Sequence, residues 1–128
     1  MPELPNLLKR LAAREPQRCT LEFDDHTGEK RWKMLYQGRF HPVANEECTD
    51  IHPAIIFYSV LEGADLLGLD WDYCFDLDEG LFSWAVGTSE EFRVMGQVYL
   101  PPLARGPLDE LMCWLECYIL ALEQGVQP

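Results

Sequence analysis

Metal-ligating or nucleophilic chemistry in this chain would have to be built from three histidines, His26, His41 and His52, and five cysteines, Cys19, Cys48, Cys74, Cys113 and Cys117. Cys48-x-x-x-His52 has a tolerable ligand spacing, but structural zinc needs four ligands, usually in paired short spacings, and no C-x-x-C is present. Cys113 and Cys117 stand one helical turn apart, where free cysteine behaves as a small buried hydrophobe rather than a ligand. Asp76, Asp78 and Glu79 resemble the start of a calcium loop only loosely, because the glycine and the bidentate glutamate are not at the offsets that loop requires. No phosphate-cradling glycine loop and no nucleophile elbow occurs. The residues therefore predict a protein that is not an enzyme and that needs no cofactor or metal.

Acidic side chains are the one chemically active class in excess, with 22 Asp and Glu against 10 Lys and Arg. They are unevenly placed: between Arg39 and Arg93 there are twelve carboxylates and no Lys or Arg, so this stretch accounts for the whole net charge of −12. Direct binding of nucleic acid is disfavoured, since affinity there depends on cations meeting phosphates. A basic protein partner is favoured, plausible examples being DNA- or RNA-binding proteins. Asp70, Asp72, Asp76, Asp78 and Glu79 are the expected acidic partner-binding surface. The competing reading is a solvated face that keeps the protein soluble.

Pro107 to Gln124 is the element round which the rest is expected to pack. Pro107 suits the first helical position, and Asp109 and Glu110 favour the positive end of the helix dipole. Leu108, Leu111, Met112, Leu115, Tyr118, Ile119 and Leu122 form one apolar stripe, and Trp114, Cys117, Leu120 and Ala121 lie on a second. Such a helix must bury two faces. The expectation is that one lies on the chain's own sheet and the other, through Trp114, Cys117, Leu120 and Ala121, on a second copy or a partner protein, with self-association through this helix or the sheet beside it.

At 128 residues the chain is expected to form a single domain, 1–128, and its apolar fraction of 48% is that of a folded protein. The first residues lack the charged, apolar and small-residue series of a signal peptide, and no apolar run of membrane-spanning length occurs. With an odd number of cysteines this implies reduced thiols in a cytoplasm. Leu4, Leu7, Leu8 and Leu11 predict an amphipathic helix stopped by Pro16. From Cys19 to Gln37 the period is two, with a turn over Asp24 to Gly28: a hairpin. Gly38 to Asn45 is compatible with a short edge strand limited by Pro42. Phe57, Val60, Leu61, Ala64 and Leu67 keep the helical period too long for a strand, so Ile51 to Leu67 reads as a helix ending at Gly68. Leu69 to Leu100 reads as a three-strand meander in which Trp71, Tyr73, Phe75 and Leu77 alternate with Asp72, Cys74, Asp76 and Asp78. The fold class is α+β, with N-terminal, central and C-terminal helices packed on antiparallel sheet.

This order of elements resembles the YbjN-like proteins and the class I type III secretion chaperones. The resemblance is carried by the opening helix and hairpin, by Val60-Leu61-Glu62-Gly63-Ala64, by Trp71-Asp72-Tyr73-Cys74-Phe75-Asp76-Leu77-Asp78-Glu79-Gly80, and by Val98-Tyr99-Leu100-Pro101-Pro102 leading into Leu108 to Leu122. It implies a small, usually dimeric, non-catalytic α+β domain that binds other proteins. The function expected is a chaperone-like protein-binding module, homodimeric, with a link to stress response or nucleic-acid-binding partners. The alternative is an acidic inhibitor or immunity-type protein that imitates nucleic-acid charge and blocks a basic partner.

Overall fold

The computed structural model describes residues 3–76, 81–88, 93–100 and 106–125, with 73–76, 81–83 and 100 described through their backbone alone. The elements run α1 (Leu4–Arg14), β1 (Cys19–Asp24), β2 (Glu29–Tyr36), β3 (Arg39–Asn45), α2 (Pro53–Leu66), β4 (Leu69–Asp76), β5 (Leu81–Thr88), β6 (Val94–Leu100) and α3 (Pro107–Glu123). The fold is α+β. The strands form two three-stranded antiparallel sheets, ordered β1-β2-β3 and β4-β5-β6. The chain divides into two compact units, residues 1–59 and 60–128, with the dividing point inside α2.

In the first unit the leucine stripe of α1 is buried as expected at Leu4, Leu7, Leu8 and Leu11. The β1–β2 turn is closed by Asp24, whose side chain accepts the His26 N–H at 2.9 Å and whose carbonyl accepts the Gly28 N–H. That N–H also holds the Asp24 carboxyl below its usual value. Gln37 and Gly38 both take positive φ, the geometry of a tight hairpin turn whose twist matches the flanking strands. From Arg39 to Asn45 the segment is a third strand paired with β2, and Pro42 is tolerated because β3 lies at the sheet edge. After β3, the Asn45 side chain orders the loop: its Oδ1 accepts from the Thr49 and Asp50 N–H groups, and its Nδ2 donates to Thr49 Oγ1 at 2.7 Å.

A buried cation pins this unit. The Arg18 guanidinium, 7% exposed, donates to the carbonyls of Leu35 and Ser59, and Ser59 Oγ donates to the same Leu35 carbonyl at 2.6 Å. Hydrogen bonds from a charged donor keep the carbonyls of β2 and α2 satisfied away from water.

In the second unit α3 lies on β5 and β6. Asp109 reaches back to accept the Gly106 N–H at 2.9 Å, which satisfies one of the donors left open at a helix start. Both apolar stripes of α3 are largely buried, but Leu108, expected on the core stripe, is 40% exposed: it falls in the first turn. Gly96 explains the closeness of α3 to the sheet. A Cβ there would run into the Cys117 carbonyl oxygen and crowd the Ala121 nitrogen, so only glycine lets the helix backbone settle on β6.

Candidate protein-binding face

The two units differ in charge far more than in size. Residues 1–59 hold eight Lys and Arg against nine Asp and Glu, a net of −1, whereas residues 60–128 hold two against thirteen, a net of −11. The field that would attract a basic partner therefore belongs to the second unit.

Strand periodicity decides how β4 presents its carboxylates. Trp71 turns to α3, where its ring lies 4.0 Å from that of Trp114, so the residues beside it in sequence take the opposite face. Asp70 and Asp72 are exposed there, as expected of the acidic surface. Asp76 is placed in β4 with the same parity, its side chain outside the description, and Asp78 and Glu79 lie outside the described residues.

The quartet expected to meet a second copy is distributed differently. Cys117 and Ala121 are fully buried inside the second unit, seated over Gly96, and the Cys117 thiol lies 3.0 Å from the Trp84 carbonyl. Trp114 packs between Trp71 and Trp84, 4.7 Å from the latter ring. Only Trp114 and Leu120 keep partial exposure. The second stripe is thus covered by the chain's own β4–β6 sheet, and Cys117 and Ala121 offer nothing to another molecule in this conformation. Trp114 is thus in ring contact with both of the other indoles.

The remaining polar candidates do not converge. Cys48 is half-buried with φ of +58°, while His52 is exposed and its N–H is bonded to the Val43 carbonyl. Burial, reinforced by Glu47, pushes the Cys48 thiol up to about 11. Burial does the same to Cys113, to about 11, and to Cys19 and Cys117, to about 12, so each is a neutral thiol at physiological pH. The Cys74 side chain lies outside the description. Among the described residues no three His, Cys, Asp or Glu side chains gather as a metal site would require, and no helix is long and apolar enough to cross a membrane.

The sequence carried no cue to one feature of the first unit: Tyr36 stacks on Tyr58 at 5.6 Å, with His41 beside Tyr36. β2 and α2 supply the two tyrosines from 22 positions apart, a pairing that only the fold creates. No protein-family model, no curated protein and no solved structure matches the chain.

Proposed function

We propose that this protein is a non-enzymatic, chaperone-like binding module of the cytoplasm, in the manner of the secretion chaperones and YbjN-like proteins its element order resembles, and that its second unit captures a basic partner protein. The observation that carries this reading is the division of charge: a net of −11 on residues 60–128, with Asp70 and Asp72 exposed on one face of β4. A field of that size speeds encounter with cations and repels nucleic acid.

Binding of the full chain to a panel of size-matched basic and acidic proteins, measured by biolayer interferometry over a salt series, tests it. Selective capture of basic proteins, with an association rate that falls as the Debye length shortens to about 8 Å, is the expected result. Equal binding of acidic and basic proteins defeats the reading.

A second reading draws on the spacing of the exposed aspartates. Two residues apart on a strand, Asp70 and Asp72 present carboxylates about 6.6 Å apart, a regular anionic row of the kind that would block a nucleic-acid-binding site. Competition separates the two: a charge mimic is displaced from a basic partner by duplex DNA, whereas a chaperone-like binder holding apolar surface is not.

Self-association belongs to the same proposal, but its test moves. Replacing Trp114 disturbs the unit's own core, so Leu120→Glu, on a half-buried position of α3, is the variant whose sedimentation reports on a dimer.

A further inference from the structure

We infer that the face of the β4–β6 sheet turned away from α3 is the docking surface for a basic amphipathic helix of the partner, lysines or arginines over β4 and apolar side chains over β6. This rests on the basic-partner reading and adds the site, the occupant's conformation and its orientation.

Register defines the face. Asp72, Ala85 and Gln97 are cross-strand neighbours, as are Asp70, Gly87 and Val94, and Tyr99 continues the Gln97 row along β6. The opposite parity, Trp71, Trp84 and Gly96, is occupied by α3 through Trp114 and Cys117. The outer face is therefore laterally divided. One side has the exposed carboxylates of Asp70 and Asp72, the other has Val94 and Tyr99, 46% and 58% exposed, and between these two rims the middle strand contributes only a floor of small, buried residues, Ala85 and Gly87.

The dimensions suit a helix. β4 and β6 stand two strand spacings apart, about 10 Å, which is the diameter of an α-helix with its side chains. A strand of eight residues is about 26 Å long, matched by a helix of roughly 17 residues. Antiparallel sheets are often wet on one face, so an open face alone would mean little. What singles this one out is the pairing of carboxylates on one rim with exposed tyrosine and valine on the other. Water solvates aspartates and the Tyr99 hydroxyl well, but the Tyr99 ring and Val94 are apolar surface whose burial is favourable. The occupant of this face is a cationic partner and not a second copy, because residues 60–128 of another copy would bring their own net charge of −11 against Asp70 and Asp72, whereas self-association is assigned to α3.

Two dye-labelled peptides of about 17 residues test the geometry, both made of the same leucines, lysines and alanines. In one, a lysine row flanks a leucine row along the helix; in the other the same residues are shuffled so that no face is segregated. Fluorescence anisotropy with the full chain should show the segregated peptide binding about tenfold more tightly than the shuffled one. Asp70→Asn/Asp72→Asn should weaken it several-fold at low salt and little at high salt, whereas Tyr99→Ser should weaken it at both, with circular dichroism confirming that each variant is folded. Equal binding of the two peptides, or indifference to Tyr99→Ser, overturns the docking surface while leaving attraction to basic partners standing. If neither peptide binds and polylysine also fails to bind, the basic-partner reading falls with it.

Discussion

The two units show opposite ways of handling charge. Residues 1–59 balance it and bring some inside: Arg18 is buried between two backbone carbonyls, and Glu22 with Lys33 and Arg31 with Asp50 lie within salt-bridge distance across and beside the sheet. Residues 60–128 carry the imbalance, with Asp65, Asp70, Asp72, Glu110 and Glu123 exposed, and indoles, a thiol and close backbone contact at Gly96 join α3 to the sheet. Surface ion pairs contribute little, so the first unit depends on its buried cation and leucines. The second must tolerate self-repulsion, which its tight helix-on-sheet packing offsets. A protein that presents a strong field for a partner needs a core that does not depend on charge, and the second unit has that combination.

The contrast is most easily broken at Gly96. Gly96→Ala places a methyl group against the backbone of α3 and should destabilise the second unit by about 3 kcal/mol or more in urea titration. Gly28→Ala in the first unit is the matching control: nothing stands within 4 Å, so only the left-handed φ of +72° costs, about 1 kcal/mol. Equal losses would mean that α3 does not rest on β6 as described. Next in size is Trp114→Leu, which removes ring contact with both Trp71 and Trp84; roughly 2 kcal/mol should go, together with the near-ultraviolet dichroism of the indole cluster. Arg18→Met in the first unit should cost about 2 kcal/mol through the carbonyls it leaves, and the loss should be insensitive to salt because the guanidinium is buried.

Alkaline pH should affect both units alike. Cys19 in the first and Cys117 in the second are raised from 9.0 to about 12, so each native state holds its thiol proton more tightly than the unfolded chain. That contribution is complete below pH 9 and is lost as pH rises from about 9 to about 12. Stability measured across that window should decline, and Cys19→Ala or Cys117→Ala should flatten the decline; an unchanged slope in both variants would remove the thiols as its cause. The smallest effect is expected from Asp70→Asn/Asp72→Asn, within about 0.5 kcal/mol of the parent and on the stabilising side at low salt. A clear loss of stability would show these aspartates to be structural and the acidic face to be no free surface.

Much of the fold was legible because its periods are long and clean. The leucines of α1, the alternation in β4–β6 and the doubly apolar α3 each identify an element without knowledge of its neighbours. β3 was harder to read: Pro42 argues against a strand until the partner is known to lie on one side only. The acidic surface was legible at Asp70 and Asp72, since parity on a strand follows from any one residue known to face the core.

The amino-acid sequence by itself determined which segments are helices and strands, that α3 buries two faces, and where the net charge sits, because these depend on residue type and local spacing. Only the tertiary structure decided what covers the second face of α3. That depended on a backbone approach at Gly96, where the missing side chain lets Cys117 and Ala121 sink onto β6, and on Trp71 and Trp84 meeting Trp114 from strands 43 and 30 positions away. Periodicity reports that a face must be buried, but the identity of its cover is a matter of long-range contacts whose partners are remote in sequence, and no local pattern encodes it.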